Sequence, residues 1–423
     1  MMSGGPVISM IAGEASGDLQ GARLATRIRE MVPSARIWGI GGRRMREAGA
    51  DLMHDSSSWS AIGFAESLKL VPGLIRIQSR LVRRIEADPP DLLVLIDFGA
   101  FNVRLARGVR GLGIKVLYYF PPGSWKRGST YEKLQGLVDA VVTPFPWSAE
   151  TLRRKGFRAE FFGHPLLDSA KPSLTEAEFR GGFGFDGSAG IAALLPGSRD
   201  HEVAHNLPAM IASAAGLSRP RPDLQYAVPI APTVDIRALA DGLQGMPWLD
   251  VRLDGRQEAS TGRVRSRIAG SVKSLMRRDG ISEPPGPVTV NLLSGMSREV
   301  LAYSRAAVVC SGTATLEAAV LGCPMVVVYR GSRLMQLEYR LMGGGIGFFG
   351  MPNIIADEEI CPELLQDDAS PSRIAALLEP LLDETAERRR MLECLAETVS
   401  VLGSPGAVDK TASLALDLIG RGG

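Results

Sequence analysis

The chain is written as short, unbroken apolar runs, most ending in a turn and followed by a helical pattern. Val7–Ala12, Ala35–Gly39, Leu92–Ile96, Lys115–Phe120, Ala140–Thr143 and Ala159–Phe162 form a first series. Runs without polar alternation are buried on both faces, and the helix after each supplies the crossover that parallel strands need. This predicts a doubly wound α/β domain over residues 1–175. A polar, Gly-rich stretch from Ser169 to Ser188 interrupts the rhythm, which then restarts. Ile191–Leu195, Leu224–Ile230, Val288–Leu293, Ala306–Val309 and Met325–Tyr329 predict a second such domain over 188–370. Residues 371–423 read as a helical tail that caps the second domain or crosses back to the first. Two Rossmann-like domains are expected to hold ligands in a cleft outside the carboxyl ends of their strands.

Composition narrows the class. Lys and Arg number 48 against 46 Asp and Glu, a net charge of +2, so no global field points to nucleic acid. Cys310, Cys323, Cys361 and Cys394 contain no Cys-x-x-Cys pair, which suits reduced, buried thiols rather than disulfides or zinc. The first residues have no charged n-region, and no run approaches the ~18 apolar residues of a membrane span. A cytoplasmic protein with at most peripheral membrane contact is expected.

Two surface stretches carry alternatives. From Pro72 to Glu86, Leu74, Ile75, Leu81, Val82 and Ile85 share a helical face beside Arg76, Arg80, Arg83 and Arg84, with Phe64 just upstream. Such a helix either packs on its sheet or docks on an anionic membrane, with Phe64, Leu74 and Ile75 as the contacts. Between Arg252 and Asp279 eight basic residues face three acidic ones, which reads as an exposed insertion at about 250–287, short of strand signals.

The turns carry the chemistry. In Gly13–Asp18 (GEASGD) the glycines let the backbone turn, Ser16 or Asp18 can cap the following helix, and free N–H groups can hold a ligand oxygen. The turn is either that ligand site or a capped connection. Leu194–Arg199 (LLPGSR) and Ser311-Gly312-Thr313 repeat the device, one with an Arg and the other with Glu317 a helical turn further on. Two such turns on one crevice form a diphosphate cradle, and a carboxylate such as Glu317 or Glu359 would take ribose hydroxyls. Asp97 closes the most hydrophobic strand, where it serves as a general base or caps the next helix. The chain has no Walker A sequence, no G-x-G-x-x-G directly after a predicted strand and no Asp-x-Asp, and His54, His164, His201 and His205 form no convincing ligand set. No metal and no cofactor are expected.

These stretches, taken in order, resemble the lipid-A-disaccharide synthase family, glycosyltransferases of the GT-B architecture. The matching segments are AGEASGD (12–18), GIGGRRMREAGA (39–50), SAIGFAE (60–66), IDFGAFNVRLAR (96–107), FFGHPLLD (161–168), LLPGSR with Glu202, LLSGMSRE (292–299), SGTATLEAAVLGCPMVVVYR (311–330) and MPNIIA…CPELLQ (351–366). The resemblance implies inverting transfer of 2,3-diacylglucosamine from UDP to the 6-hydroxyl of 2,3-diacylglucosamine 1-phosphate at the cytoplasmic face of the inner membrane. It implies Asp97 as the base and Ser198 and Arg199 at the donor site. Glu299, Ser311, Gly312, Thr313, Glu317 and Asn353 would then lie in segments lining the UDP pocket. Glu14, Ser16, Gly17 and Trp125 would lie on the acceptor side. A homodimer is a further suggestion of the resemblance. Three features depart from the family pattern: Ala100 stands where the family has Asp, PPGSWKRG keeps one Trp of two, and the basic insertion at about 250–287 is longer than the family's loop. The first two fall on the acceptor side. A related UDP-sugar enzyme with another acceptor, an epimerase, and a two-domain binding protein stay open on the residues alone.

Overall fold

A computed structural model describes residues 5–56, 59, 64–124, 131–187, 189–243, 246–257, 267–284, 286–331 and 347–420. The chain divides into two units, Met1–Asp168 with Val401–Gly423, and Ser169–Ser400.

The first unit is built on seven strands: β1 (Val7–Ala12), β2 (Arg36–Gly41), β3 (Asp51–Asp55), β4 (Leu92–Ile96), β5 (Lys115–Tyr119), β6 (Ala140–Val142) and β7 (Ala159–Glu160). They pair in parallel in the order β3-β2-β1-β4-β5-β6-β7. The connecting helices are α1 (Ala15–Met31), α2 (Arg43–Glu47), α3 (Phe64–Ala87), α4 (Gly99–Gly108), α5 (Pro146–Arg154) and α6 (Leu166–Ser169). Every residue of β4 is buried because both sheet faces are covered. One core layer holds Leu24 and Ile28 of α1 with Leu414 and Leu416 of the helix Ala407–Leu418; the other holds Leu81 and Ile85 of α3 with Leu105 of α4. The order turns at β1/β4: the chain winds outward from β1 on one side and from β4 on the other.

The second unit contains α7 (Glu176–Gly182), β8 (Gly190–Leu195), α8 (Asp200–Leu217), β9 (Leu224–Ile230), α9 (Ile236–Leu243), β10 (Leu249–Leu253) and β11 (Arg256–Gln257). It continues with α10 (Arg267–Arg278), β12 (Val288–Ser294), α11 (Ser297–Tyr303), β13 (Ala306–Cys310), α12 (Thr313–Val320), β14 (Met325–Tyr329), the helix Met351–Ala356 and β15 (Glu363–Leu365). Its sheet runs β11-β10-β12-β9-β8-β13-β14-β15 and turns at β8/β13.

Four strands lie where sequence patterning predicts none. β3 (Asp-Leu-Met-His-Asp) is a half-exposed edge, and β15 has only three residues. β10 and β11 lie at the start of the 250–287 stretch, where the sequence is short of strand signals. β10 is an integral strand hydrogen-bonded to β12, and its Leu-Asp-Val-Arg-Leu alternation is half-buried, with Arg252 paired to Asp250 at 3.0 Å. The helix expected from Phe101 begins two residues earlier, at Gly99.

The C-terminal segment of the first unit docks on the loop after β7. His164 N–H donates to the Leu402 carbonyl (2.8 Å), and Asp168 accepts from Gly406 N–H (2.6 Å). Gly163, at φ +104°, lies so close that a Cβ would stand 2.3 Å from the Ser404 carbonyl oxygen. His164 Nδ1 accepts from Leu166 N–H, and burial, aided by the Arg23 charge, pushes its pKa down to about 4. Between pH 4 and the ordinary imidazole pKa of about 6.5, the unfolded chain holds a proton that the folded chain does not. Stability is therefore expected to fall as pH drops through that window, by up to about 1.4 kcal/mol per pH unit. Urea unfolding at pH 7 and pH 5, compared between the parent chain and His164→Asn, checks this; the variant should lose that part of the slope.

Candidate active site

In a doubly wound sheet the carboxyl ends of the strands flanking the reversal splay apart and leave room for a ligand. In the first unit those ends carry Gly13–Ser16 after β1 and Asp97 after β4. Asp97 and Phe98 both adopt the left-handed conformation, at φ +47° and +49°. Two consecutive non-glycine residues there cost roughly 1–3 kcal/mol each and persist only where the surroundings hold them. Asp97 N–H donates to the Tyr119 carbonyl (3.1 Å). The Asp97 carbonyl accepts from Asn102 Nδ2 (2.8 Å) and the Tyr118 hydroxyl (2.9 Å), and Asn102 Nδ2 also reaches the Ile96 carbonyl (3.2 Å). The Phe98 ring covers Gly13, where a Cβ would lie 2.1 Å from it, and stacks on Trp59 with centroids 5.3 Å apart. Gly13 is thus required by close approach.

The Asp97 carboxyl sits in a mostly buried place. Burial and then the Glu14 charge raise its pKa to about 6, against hydrogen bonds from Phe98 N–H and the Ser16 hydroxyl that favour the ionised form. It does not cap α4, whose N-cap is Phe98 with no side-chain cap. Neither Ser16 nor Asp18 caps α1: the N-cap is Glu14 without a side-chain bond. Asp18 instead accepts from Gly42, Arg44 and Met45 N–H (2.6, 3.0 and 3.1 Å) at the start of α2. Gly17 is buried, its Cβ position 3.4 Å from Ala12 Cβ, so it serves helix-on-sheet packing rather than ligand contact. Trp125 lies outside the described residues, and Ala100 is exposed in the first turn of α4.

The second unit's reversal brings together the turns after β8 and β13. Gly197 takes φ +120°, Ser198 is exposed, and Arg199 is the N-cap of α8. Glu202 folds back so that Oε2 accepts from Ser198 N–H (2.8 Å) and Arg199 N–H (3.3 Å). After β13, the Ser311 hydroxyl donates to the Phe349 carbonyl (2.7 Å). Gly312, at φ +145°, is the N-cap of α12, opens onto empty space, and is followed by exposed Thr313. The two helix ends differ. At α8 the Glu202 carboxylate takes the N–H groups of the N-cap Arg199 and of Ser198 just before it. The first turn of α12 has neither an acidic residue nor a side-chain cap, so among the described residues no side chain takes the Thr313 and Ala314 N–H groups, and the positive dipole end is open to an anion. Glu317 lies one turn in, with Arg298 Nε at 3.6 Å.

A family model described as lipid-A-disaccharide synthetase matches residues 8–241 and 283–416. The chain belongs to the lipid-A-disaccharide synthase family. The lipid-A-disaccharide synthase of Geobacter sulfurreducens is 34% identical over 416 residues, covering 98% of this chain and 97% of that protein. That of Myxococcus xanthus is 34% identical over 423 residues, the whole of both. Among solved structures, the Neisseria meningitidis UDP-GlcNAc 2-epimerase bound to UDP-GlcNAc is 12% identical, with a TM-score of 0.56 over 97% of this chain and 99% of that one. The calicheamicin glycosyltransferase CalG4 is 14% identical, with a TM-score of 0.55 over 99% of both. At those identities the likeness shows the fold, two parallel-sheet α/β domains of the GT-B kind. The family match leaves residues 242–282 uncovered, the stretch that holds β10, β11 and α10.

Within this member of the family, two expected donor contacts turn inward. Asn353 is fully buried; its Nδ2 donates to the Cys361 carbonyl (2.7 Å) and Glu363 (2.8 Å), and its Oδ1 accepts from Ile360 and Cys361 N–H. Its side chain builds the loop, with both polar atoms taken by these bonds. Glu299 is buried and accepts from Ser173 N–H and hydroxyl (both 2.7 Å), tying down the segment before α7. Burial opposes its ionisation, but the Ser173 bonds, its own N–H and Arg298 outweigh burial and lower its pKa.

Three residues that the sequence reading passed over brace the turns after β8 and β13 and the loop before β15. Buried Thr315 Oγ1 donates to the Gly312 carbonyl (2.8 Å) and accepts from Met351 N–H (3.0 Å). Glu363 accepts from Phe349 and Gly350 N–H. Asn206 is a polar residue amid Val203, Leu207 and Met210 in a helix interior, a signal visible in sequence. In the first unit Asn102 plays the comparable part, locking the left-handed pair. Asn102→Ala is expected to cost about 1–3 kcal/mol by removing one of the two donors to the Asp97 carbonyl together with the bond to Ile96, and to release Asp97. Urea unfolding checks the first effect; a downward shift of the Asp97 pKa in the folded variant checks the second.

Proposed function

We propose that this chain transfers 2,3-diacylglucosamine from UDP to the 6-hydroxyl of 2,3-diacylglucosamine 1-phosphate, with inversion, giving a β-linked lipid A disaccharide and UDP. The single observation that carries the reading is Asp97: a mostly buried carboxyl with a pKa near 6, held in a left-handed turn at the reversal of its sheet. Ionised at neutral pH, it is strong enough as a base to take the acceptor hydroxyl proton as the bond forms. The acceptor oxygen attacks the anomeric carbon opposite UDP; the bond from that carbon to the phosphate oxygen breaks, and UDP leaves with the electron pair. The negative charge growing on the leaving diphosphate is met by the open N–H groups of α12 and the Arg199 guanidinium, which need no reorganisation. Glu317 is assigned to the ribose hydroxyls.

Peripheral contact with the inner-membrane surface belongs to the same reading. No described helix is long and apolar enough to cross a membrane. Exposed Ile75 (38%) and the exposed Arg76, Arg80 and Arg83 of α3 support contact with an anionic surface. Leu74 drops out of that surface because it packs against the core under α3, and the Phe64 side chain lies outside the described residues.

The deciding assay supplies both acylated sugars in detergent and follows UDP and disaccharide together. Asp97→Asn is expected to retain less than a tenth of the parent rate, since a general base contributes roughly 10²–10⁴-fold. The parent kcat/KM should rise with pH to a plateau through a midpoint near 6, as the carboxyl loses its proton. UDP release without disaccharide would assign a different acceptor, in keeping with Ala100.

A further inference from the structure

The Glu202 carboxylate lies where an anionic ligand would bind at the start of α8, an 18-residue helix. The turn is folded directly onto it: a Cβ on Gly197 would stand 2.5 Å from Glu202 Cβ and 2.6 Å from Oε2. Oε2 accepts from the Ser198 and Arg199 N–H groups, while Oε1 is 3.6 Å from the Arg199 guanidinium. The Glu202 side chain is 14% exposed and that of Arg199 43%, so the carboxylate anchors and the guanidinium reaches outward. The anchor is itself braced. Thr233 Oγ1 donates to the Ser198 carbonyl (2.9 Å), and Asn206 Nδ2 donates to the Glu202 carbonyl (2.8 Å). Asn206 accepts from Arg330 N–H (2.8 Å) and touches Cys310 Sγ (3.6 Å), so the turn after β8 is tied to the ends of β13 and β14.

We infer that Glu202 is a positioning residue for the donor: an internal anion that keeps the diphosphate off the Ser198 and Arg199 N–H groups in the turn before α8 and presents Arg199 to a diphosphate held at the start of α12. This rests on the UDP-sugar reading above. A carboxylate in hydrogen-bond contact with both N–H groups leaves no room for a phosphate oxygen, and like charge repels one. The adjacent ion pair limits the guanidinium to few rotamers, which lowers the cost of ordering it on a ligand.

The test measures binding of UDP and of uridine by calorimetry to the parent chain, Glu202→Ala, Glu202→Gln and the same changes in an Arg199→Ala background. Glu202→Ala is expected to weaken UDP about tenfold and to leave uridine unchanged. Glu202→Gln keeps an acceptor for the two N–H groups and loses only the ionic hold, so a loss of roughly two- to fivefold is expected. Both losses should vanish once Arg199 is Ala, because Glu202 acts through it. If Glu202→Ala does not fold, Glu202→Gln carries the same sign and the same dependence on Arg199. Tighter UDP binding in either variant would make Glu202 a competitor for the phosphate site and overturn the inference. So would an equal loss for UDP and uridine, or a loss that persists without Arg199. A parent chain that binds no UDP would instead defeat the donor reading itself.

Discussion

Each sheet reverses its winding once, at β1/β4 and at β8/β13, and the candidate chemistry hangs on those two reversals. A parallel strand feeding a helix must turn at its carboxyl end, and only beside a reversal do neighbouring turns diverge enough to admit a ligand. Glu14, Ser16 and Asp97 occupy one reversal; Ser198, Arg199, Ser311, Gly312 and Thr313 occupy the other. The remaining strands and helices bury enough apolar surface to hold these ends in place.

Backbone groups at helix starts are used in two opposite ways. At α2 and α8 the protein supplies its own carboxylate, Asp18 or Glu202, and the N–H groups serve the fold. At α12 no described side chain intervenes, and the same kind of group is left for a ligand. In the first unit the strain is in the backbone. Asp97 and Phe98 adopt a conformation that side chains disfavour, and Asn102, Tyr118 and the Gly13–Phe98–Trp59 packing hold it. The result is a carboxyl kept largely from water beside a second acid, which is how a carboxylate becomes a competent base near neutral pH.

Much of this was legible in the residues. The run Leu92–Ile96 reads as a fully buried parallel strand because no polar residue interrupts it, and it is one. Strands at the sheet margins escaped notice because half-exposed side chains leave little mark on the pattern, as in the edge strand Asp51–Asp55 and in Leu249–Leu253 beside the edge. Motif position identified the turns after β8 and β13 but not which way their neighbours point. Asn353 and Glu299 stand in the expected segments with side chains turned inward, saturated by Cys361, Glu363 and Ser173. Similarly, Leu74 and Ile75 are adjacent on α3, yet one packs on the core and the other is exposed. Hydrophobic patterning alone grouped them on one face. Asp18 and Glu202 show why a capping residue is hard to assign from sequence: one caps a helix 24 residues away, the other the turn before its own.

The account depends most on a proton that Asp97 holds more tightly than an ordinary aspartate does. Titrating the Asp carboxyl carbons by NMR in ¹³C-labelled protein without ligand, alongside Asp97→Asn and Glu14→Gln, measures this directly. One carboxyl should titrate with a midpoint near 6, be missing from Asp97→Asn, and move to lower pH in Glu14→Gln, where the neighbouring charge is gone. An Asp97 carboxyl titrating in the ordinary range near 4 would contradict the account, because it would be too weak a base for the role assigned to it.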